Sequence, residues 1–383
     1  MKKVNEMTGK QKIESAFSKQ GTLEIPAVIC YEGIYIRDHW DQLTDCPWWY
    51  QYSADIEHQL KWHRDVINRT GQDWFYLPFF YSRDERNNII IEASSDGIFQ
   101  VNKRTGSKYK LTKPPIAGWS ESGGLHSYRP LKLIDSFKEI DDNIYISPSF
   151  DPKNSIANGR NDLALMLMNE FPHLYPICHI GSPLWHTYGI WGFEGMMIMI
   201  AEKPELIKYA CEKFLIKSVR NAHQCAMLGA QAIWIEECFT DMISPKAFEE
   251  INVPIVTKLV DEIRKAGMKS IYYYCGNPAG KWDYLFAVGA DAISLEESKK
   301  GFVIDIEEVI DRCQGKCTVL GNLDAINLLP KCSEYELRAE ISRQIQAGRR
   351  NNGRFIMSIG SPVTPETTAE RVKLYCDIVH ELG

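Results

Sequence analysis

Long hydrophobic runs and dense clusters of basic residues are both missing from this sequence. No stretch approaches the roughly 18 consecutive apolar residues of a membrane-spanning helix. The amino terminus has two lysines but no apolar segment after them, unlike a secretory signal. Lysine and arginine number 44 against 50 aspartates and glutamates, a formal net charge of −6, and no basic cluster suits a groove for phosphates. We therefore expect a cytoplasmic protein that binds neither a membrane nor nucleic acid.

The cysteines also lack the density of a disulfide scaffold. Eleven of them are spread over 383 residues, so reduced thiols are expected. Four lie in apolar-periodic segments and are expected to be buried as small apolar groups: Cys178, Cys211, Cys225 and Cys376. Cys313 and Cys317 could meet on one helical face, but the intervening Gln-Gly-Lys indicates the end of a helix followed by a new strand.

What is present is the composition of a globular protein. Hydrophobic residues make up 44% of the chain and charged residues 25%, which excludes disordered and low-complexity classes. The length suits two ordinary domains or one large α/β barrel with insertions.

The first half of the chain is irregular and rich in aromatic residues. The pattern predicts strands at 25–31 and 74–80, a helix at 55–70, a hairpin of strands at 89–91 and 98–101, and another strand at 108–111. Trp40, Trp48, Trp49 and Tyr50 are expected in a loop that caps or packs near a barrel opening. We interpret residues 38–125 as an aromatic and β-hairpin insertion.

From about residue 156 helices and short apolar strands alternate, which is typical of parallel βα units. Six strands are predicted there, at 174–179, 232–235, 270–274, 292–295, 317–320 and 354–358. With the two early strands they make eight, and no GxGxxG follows the first strand to favour a dinucleotide fold. The sequence therefore predicts one (β/α)8 TIM barrel domain over residues 1–383.

In a barrel of this kind the active site forms at the carboxyl ends of the strands, so the residues that follow each strand are the candidates for chemistry. Five consecutive strands are followed by polar groups: Glu236, Glu237 and Cys238; Tyr273, Tyr274, Cys275, Gly276 and Asn277; Glu296 and Glu297; Gly321, Asn322, Leu323 and Asp324; Gly360, Ser361 and Pro362. Mixed thiolate and carboxylate donors suit zinc. Buried structural cysteines are the alternative, because no CxxC or HExxH spacing is present.

Several motifs resemble the uroporphyrinogen decarboxylase superfamily, which includes cobalamin-dependent methyltransferases. They are 181–185 (GSPLW), 191–195 (WGFEG), 203–206 (KPEL), 243–248 (ISPKAF), 275–277 (CGN), 321–324 (GNLD) and the ending from 358 through 365–367 (PET). They come in the family's order over roughly residues 170–383. The resemblance implies a (β/α)8 barrel, in agreement with the strand count.

Departures from the family's patterns bear on whether the chain resembles the decarboxylase or the methyltransferase branch. The decarboxylase is expected to carry a Gln-Ala-Gly-Arg segment after the first strand for its polycarboxylate substrate, whereas this chain has 31–37 (YEGIYIR). The methyltransferase branch implies zinc on His-x-Cys-Gly and a later cysteine, and this chain has Tyr273 and Ser361 at the missing ligand positions. Either the metal is lost or other residues replace these ligands, and we expect a rebuilt site with four candidate ligands: Glu236, Glu237, Cys238 and Cys275.

The resemblance implies transfer of a methyl group from a small molecule to the cobalamin of a separate corrinoid protein. A zinc ion with more oxygen ligands is a harder Lewis acid that could polarise a methyl ether, and the many aromatic residues suggest a methoxylated aromatic substrate. Candidate catalytic residues are Tyr273, His186 and Glu297, and candidate cofactor-binding residues are Asn277, Asn322 and Asp324. The alternatives to these functional roles are structural: a histidine that only packs, a tyrosine of the barrel wall and a turn formed by Gly-Asn-Leu-Asp.

Two other functions stay open at this point. One is a metal-independent decarboxylase of a small aromatic or heterocyclic acid, and the other is a catalytically silent barrel that binds a ligand. No Asp-x-His-x-x-Gly segment of a cobalamin-binding module occurs in the chain, so a corrinoid would have to come on another protein. The oligomeric state is not fixed by the sequence, and a homodimer is compatible with it.

Overall fold

The chain folds around a barrel of parallel strands, as the sequence predicted. A computed structural model describes residues 6–117, 130, 132–298 and 301–383. Within these residues eight parallel strands follow the barrel order β1-β11-β10-β9-β8-β7-β6-β2. Their bounds are β1 Ala27–Val28, β2 Trp74–Tyr76, β6 Tyr175–Gly181, β7 Ala232–Glu237, β8 Lys269–Tyr274, β9 Ala292–Leu295, β10 Thr318–Leu320 and β11 Phe355–Ser358.

Helices cover the outside of these strands. The helices of the first half are α1 Gly9–Phe17, α2 Glu32–Leu43, α3 Ile56–Thr70, α4 Arg83–Asn88, α5 Phe137–Asn143, α6 Pro152–Ile156 and α7 Asp162–Glu170. Those of the second half are α8 Pro183–His186, α9 Tyr188–Glu202, α10 Pro204–Leu228, α11 Pro245–Ala247, α12 Val253–Lys265, α13 Trp282–Ala287, α14 Ile306–Cys313, α15 Glu334–Arg350 and α16 Ala369–Leu382. In the part of the chain described, no helix combines the length and apolar character needed to cross a membrane.

The predicted hairpin is a separate antiparallel sheet. It consists of β3 Ile89–Ser94, β4 Gly97–Asn102 and β5 Lys108–Leu111, with β4 in the middle. Gln100 on β4 donates to the carbonyl oxygen of Tyr52 at 2.9 Å and thereby ties the sheet to the segment before α3. Residues 118–125 of the predicted insertion lie outside the described residues.

The aromatic segment after β1 is not the loop that we predicted. Trp40 lies in α2, where its side chain is buried and its indole N–H donates to the carbonyl oxygen of Cys46 at 2.8 Å. Trp48–Tyr52 forms a short 3-10 helix. The loop prediction was wrong because aromatic residues at irregular spacing give no clear helical period, although tertiary packing can still order them as helix.

The barrel closes between β1 and β2 with the help of side chains. The N–H of Asp73 donates to the carbonyl oxygen of Ala27 at 2.8 Å, and the N–H of Ala27 donates back to Asp73 Oδ2 at 2.7 Å. The N–H of Ile29 donates to Gln72 Oε1 at 3.1 Å. These two short strands are thus joined partly through side-chain oxygens, which satisfy backbone groups that would otherwise be buried without partners.

Candidate functional site at the mouth of the barrel

The site is built from strand residues that point into the barrel. Side chains alternate between the two faces of a strand, and Trp234 of β7 packs inward against Trp74, Tyr76 and Tyr273. Two residues further along β7, Glu236 points inward as well. The contacts that start from Glu236 define what we call the mouth cluster: Tyr31, His179, Glu236, Cys238, Tyr273, Cys275 and Glu296.

Glu236 accepts hydrogen bonds from three neighbours. Tyr31 Oη donates to Glu236 Oε1 at 2.8 Å, and Cys238 Sγ donates to the same oxygen at 3.2 Å. His179 Nε2 lies 2.9 Å from Glu236 Oε2. Burial raises the pKa of Glu236, but the hydrogen bond and charge of His179, with the bonds from Cys238 and Tyr31, outweigh it and hold the pKa below the usual value. Glu236 is therefore an ionised carboxylate that fixes its three donors.

His179 shows that the mouth is open. The side chain of His179 belongs to the inward face of β6, where it packs against Tyr31, Tyr76 and Trp234. Its side chain is nevertheless 35% exposed to solvent. An inward side chain on a barrel strand can reach solvent only through the end of the barrel, so a small molecule can approach His179 from that side.

Two thiols meet beside the carboxylates. Cys238, directly after β7, is in hydrogen-bond contact with Cys275, directly after β8. Cys275 Sγ also donates to Glu296 Oε1 at 3.0 Å. The contact with Cys275 and burial raise the pKa of Cys238 well above its ordinary value, so this thiol keeps its proton and acts as a donor.

Backbone strain lies at this mouth too. Tyr31 has a φ of 52° and Phe239 a φ of 65°, a left-handed conformation that is rare for residues other than glycine. Tyr31 follows β1, and Phe239 follows β7 and stacks on Tyr188 at 4.9 Å. Strained residues of this kind cluster at functional sites because the surrounding structure holds them in place.

Glu237, one of the four predicted metal ligands, does not join the other three. It is the next residue after Glu236 on β7 and so points to the opposite face of the barrel wall, where it is fully buried and accepts from Tyr272 Oη at 3.2 Å. Burial raises the pKa of Glu237 to about 7, against the hydrogen bonds from Ser182, Asn252 and Tyr272. The structure therefore brings together Glu236, Cys238 and Cys275 and separates Glu237 from them.

Tyr273 and Glu297, predicted as catalytic, both contact Gly360. Tyr273 Oη donates to the carbonyl oxygen of Gly360 at 2.9 Å, and the ring is fully buried between Tyr31 and Trp234. A Cβ at Gly360 would lie 2.5 Å from the backbone nitrogen of Glu297 and closer still to its Oε2. Burial raises the pKa of Tyr273 well above its ordinary value, so its phenol stays protonated.

His186, the third predicted catalytic residue, lies at the end of α8 beside the cluster. Its ring stacks on Phe214 at 5.4 Å and contacts Trp185 at 5.3 Å. Burial and the charge of Lys217 lower the pKa of His186, which favours the neutral imidazole. The predicted role as proton donor is thus confined to a neutral ring N–H.

The side chains proposed to bind a cofactor make hydrogen bonds to nearby backbone. Asn277 Oδ1 accepts from the N–H of Ala279 at 2.9 Å, and Asp324 Oδ1 accepts from two N–H groups of its own turn at 2.7 and 2.8 Å. Asn322 Nδ2 donates to the carbonyl oxygens of Glu296 at 3.1 Å and Ile304 at 2.8 Å. These are the contacts of turns and of loop packing, the alternative considered from the sequence.

The donors of the mouth cluster are of the types that zinc takes, namely thiol, imidazole and carboxylate. Over the residues with described positions, however, no three His, Cys, Asp or Glu side chains are arranged so that they could hold a metal ion. The thiols are turned towards carboxylates as hydrogen-bond donors, in the pairs Cys238 with Glu236 and Cys275 with Glu296.

Sequence reasoning missed three members of the cluster. Glu296 was recognised at a strand end but not chosen, and His179 was placed inside a strand without a role. Alternation along β6 could have found His179, because it lies on the opposite face from Cys178, which packs outward against Cys225 of α10. Tyr31 had no comparable signal, since its direction follows from a left-handed backbone.

Comparison with known proteins places the chain among enzymes of one family. The model of the uroporphyrinogen decarboxylase (URO-D) family matches residues 170–382. The uroporphyrinogen decarboxylase of Thermodesulfovibrio yellowstonii is 27% identical over 50% of this chain and 48% of its own length. That of Pseudoalteromonas translucida is 22% identical over 71% of this chain and 77% of its own length. The chain thus spans about half the length of the first of these relatives.

A solved structure extends the likeness over the whole chain. A methyltransferase from Methanosarcina mazei superposes with a TM-score of 0.65 over 98% of this chain and 99% of its own, at 14% sequence identity. At that identity the likeness shows the shared barrel fold, including the amino-terminal part that the family model does not match.

Proposed function

Since this chain belongs to the uroporphyrinogen decarboxylase family, we propose that it is a methyltransferase of that family. It takes a methyl group from a small methylated compound, a methoxylated aromatic, and passes it to cob(I)alamin on a separate corrinoid protein. The departing oxygen of the donor leaves as a phenolate and takes up a proton.

The contact between the thiols of Cys238 and Cys275 at the barrel mouth carries this proposal. Two cysteines from neighbouring strands, flanked by the carboxylates of Glu236 and Glu296 and by His179, concentrate soft and hard donors at one point. None of the seven residues in the mouth cluster is arginine or lysine. A pocket of this composition suits an uncharged aromatic ether better than a substrate with many carboxylates, which needs guanidinium partners.

Zinc is part of the proposal. Cys238, Cys275, Glu236 and His179 would hold it only after a rearrangement, because the described side chains do not form a metal site as they stand. Binding would turn the two thiols away from Glu236 and Glu296 and displace their protons. A bound zinc ion would supply Lewis-acid polarisation of the ether oxygen. Glu237 is left out of this set because its side chain lies behind the barrel wall.

The protein's own side chains bind and orient the substrate. Tyr31 and Tyr76, both partly exposed, lie beside His179 and offer aromatic rings against which a substrate ring can pack, while the buried Trp234 supports them from below. Glu236 fixes the directions of Tyr31 Oη and His179 Nε2, which lie 2.8 and 2.9 Å from its two oxygens. Tyr31 and His179 are therefore held in fixed orientations at the mouth.

Elemental analysis of the protein, purified without added metal or chelator, tests the metal. We expect about one zinc per chain, lost in Cys275→Ala and Cys238→Ala. Cys332→Ala is the matched control, because Cys332 is partly exposed and its sulfur contacts Arg371, which is not a member of the mouth cluster. Zinc that stays in both mouth variants, or is absent from the native protein, would remove zinc from the mechanism.

A methyl-transfer assay tests the activity itself. The protein is mixed with a methoxylated aromatic and a reduced corrinoid protein, and the absorbance of cob(I)alamin is followed. We expect a loss of cob(I)alamin that requires the protein and stops in Cys275→Ala. No loss with a panel of methoxylated aromatics, while zinc is bound, would reject the substrate class and leave the metal site standing.

Decarboxylation is the second candidate, because the matched curated relatives are uroporphyrinogen decarboxylases. The substrate in that case would be a small aromatic acid and the reaction would need no metal. Release of carbon dioxide by a chelator-treated sample, undiminished in Cys275→Ala, would favour this candidate over methyl transfer.

A further inference from the structure

Two cysteines lie together at the end of the barrel opposite the mouth. Cys313 is the last residue of α14, and Cys317 comes directly before β10. The sequence predicted this boundary between helix and strand, and the structure confirms it. Since strands of such barrels begin at the face that serves stability rather than chemistry, the pair has no part in the proposed methyl transfer.

The two sulfur atoms are in contact. Cys313 Sγ and Cys317 Sγ are 3.6 Å apart, and Cys313 Sγ also lies 3.3 Å from the carbonyl oxygen of Cys317. The chain reverses between them through left-handed residues, Gln314 with a φ of 51° and Gly315 with a φ of 73°. A disulfide bond of about 2.05 Å requires the sulfurs to approach by only about 1.5 Å.

Two side chains from the segment before β11 hold this turn closed. Asn351 accepts from the N–H of Gly315 at 3.0 Å and donates to the carbonyl oxygen of Cys317 at 3.1 Å. Arg354 Nη1 donates to the carbonyl oxygen of Gly315 at 2.5 Å. The thiols are thus held in contact by hydrogen bonds that do not involve either sulfur.

The two thiols differ in acidity. The hydrogen bond from Cys317 lowers the pKa of Cys313 to about 6, with help from Arg354 and against the effect of burial. The same contact, with burial, raises the pKa of Cys317 well above its ordinary value. A more acidic thiol beside a less acidic one is the arrangement of an attacking and a resolving cysteine.

A small oxidant has a place beside Cys317, whose sulfur lies 3.6 Å from that of the fully buried Cys313. Cys317 lines a cavity of about 90 Å³ together with Lys316, Phe286 and Ala292. A water molecule occupies about 30 Å³, so the cavity has room for hydrogen peroxide.

We propose that Cys313 and Cys317 form a redox modification site at which hydrogen peroxide closes a reversible disulfide bond. The Cys313 thiolate attacks one peroxide oxygen, the O–O bond breaks, and the released hydroxide takes a proton and leaves as water. Cys317 then attacks the sulfenic sulfur, the S–O bond breaks, and a second water leaves with the thiol proton. Two thiols are oxidised, and one peroxide is reduced to two waters.

Oxidation of the reduced, full-length protein with equimolar hydrogen peroxide tests this site. Remaining thiols are alkylated, and the cross-linked peptide is identified by mass spectrometry, which separates this pair from Cys238 and Cys275. We expect a peptide that contains both Cys313 and Cys317, lighter by two hydrogen atoms and restored by dithiothreitol. Near-ultraviolet circular dichroism before and after oxidation checks that the protein stays folded.

Two variants and one internal control sharpen the experiment. Cys313→Ser should leave Cys317 reduced, whereas Cys317→Ser should leave Cys313 as a sulfenic acid that dimedone traps. Cys178 and Cys225 are the control, because they are also in contact but do not line the cavity beside Cys317, and we expect oxidation there to be at least about tenfold slower. Equal rates at the two pairs, or no Cys313–Cys317 linkage in folded protein, would overturn the proposal.

Discussion

At the scale of single residues, the raised pKa of Glu237 predicts how the free energy of unfolding changes with pH. Its pKa in the folded protein is about 7, above the ordinary 4.5, because burial disfavours its charge. Between these values the folded state keeps a proton that the unfolded chain has lost, so the free energy of unfolding falls as pH rises through this window. The full shift corresponds to roughly 3 kcal/mol.

Glu237→Gln should remove most of this pH dependence. We expect the variant to lose less stability than the native protein between pH 5 and pH 8, as measured by urea unfolding at both values (order of magnitude from linkage, about 3 kcal/mol). Because Glu237 lies outside the mouth cluster, the variant should also keep the zinc content of the native protein. Loss of zinc would return Glu237 to the ligand set predicted from the sequence.

At Gly360, beside the proposed site, we predict that an added side chain would clash with its neighbours. A Cβ there would meet the backbone and carboxylate of Glu297, and the neighbouring backbone cannot move away freely. Gly360→Ala should therefore lower the free energy of unfolding by about 1–3 kcal/mol.

Thermal or urea unfolding of matched variants measures the Gly360 effect. Gly33→Ala is the control, because a Cβ at Gly33, in the first turn of α2, would have no heavy atom within 4 Å other than its chain neighbours and the backbone of its own helix. There alanine should be neutral or stabilise by about 0.5–1 kcal/mol. Equal stability of the two variants would show that the residues around Gly360 can shift to accommodate the added methyl group.

The candidate site could be predicted from the sequence only as far as strand alternation and strand ends allow. Glu236, Cys238 and Cys275 were correctly placed at one mouth, because the carboxyl ends of parallel strands share one end of a barrel. Glu237 was grouped with them by position along the chain, although neighbours on a strand face opposite ways. Tyr31 reaches Glu236 across 205 positions of sequence, and no local pattern encodes such a contact.

At the scale of elements, we predict that Asp73, at the seam between β1 and β2, is sensitive to substitution. The Asp73 carboxylate accepts from the N–H of Ala27 and lies 2.8 Å from His380 Nε2 of α16. Asp73→Ala leaves the buried N–H of Ala27 without this acceptor and releases the end of α16. We expect a loss of about 2 kcal/mol in the free energy of unfolding.

Urea unfolding with two companion variants tests the seam. Asp96→Ala changes an exposed aspartate at the turn of the β3–β4 hairpin and should stay within about 0.5 kcal/mol of the native protein. His380→Ala removes only the contact with α16, and its effect should be smaller than that of Asp73→Ala. If Asp73→Ala behaves like Asp96→Ala, the seam is held by backbone and packing alone.

The elements of the second half followed from the sequence more closely than those of the first. β9 begins and ends where predicted, and β8, β10 and β11 differ by one residue at one end, because buried parallel strands form short apolar runs between helices. β1 was predicted over seven residues and has two, since its carboxyl end gives way to the left-handed turn at Tyr31. The remaining apolar residues of the predicted strand are apolar because they are buried near the barrel, and they do not pair with a neighbouring strand.

At the scale of the whole molecule, charge bears on the choice between the proposed methyl transfer and decarboxylation of a porphyrinogen. The chain carries a formal net charge of −6, and its mouth adds Glu236 and Glu296 without an arginine or lysine among the seven cluster residues. A porphyrinogen with many carboxylates would enter against this charge and would find no guanidinium partners in the cluster. A neutral methoxylated aromatic meets no such barrier.

We therefore expect no measurable decarboxylation of uroporphyrinogen by this protein under conditions in which the Thermodesulfovibrio yellowstonii enzyme, its curated relative, is active. Carbon dioxide release is measured at low and at high salt, because screening weakens repulsion between exposed charges at distances beyond about 10 Å. If activity appears only at high salt, repulsion at the mouth accounts for the selectivity. Activity comparable to that of the relative at low salt would mean that acidic groups at the mouth do not exclude a polycarboxylate, and the argument for a neutral methyl donor would lose its electrostatic basis.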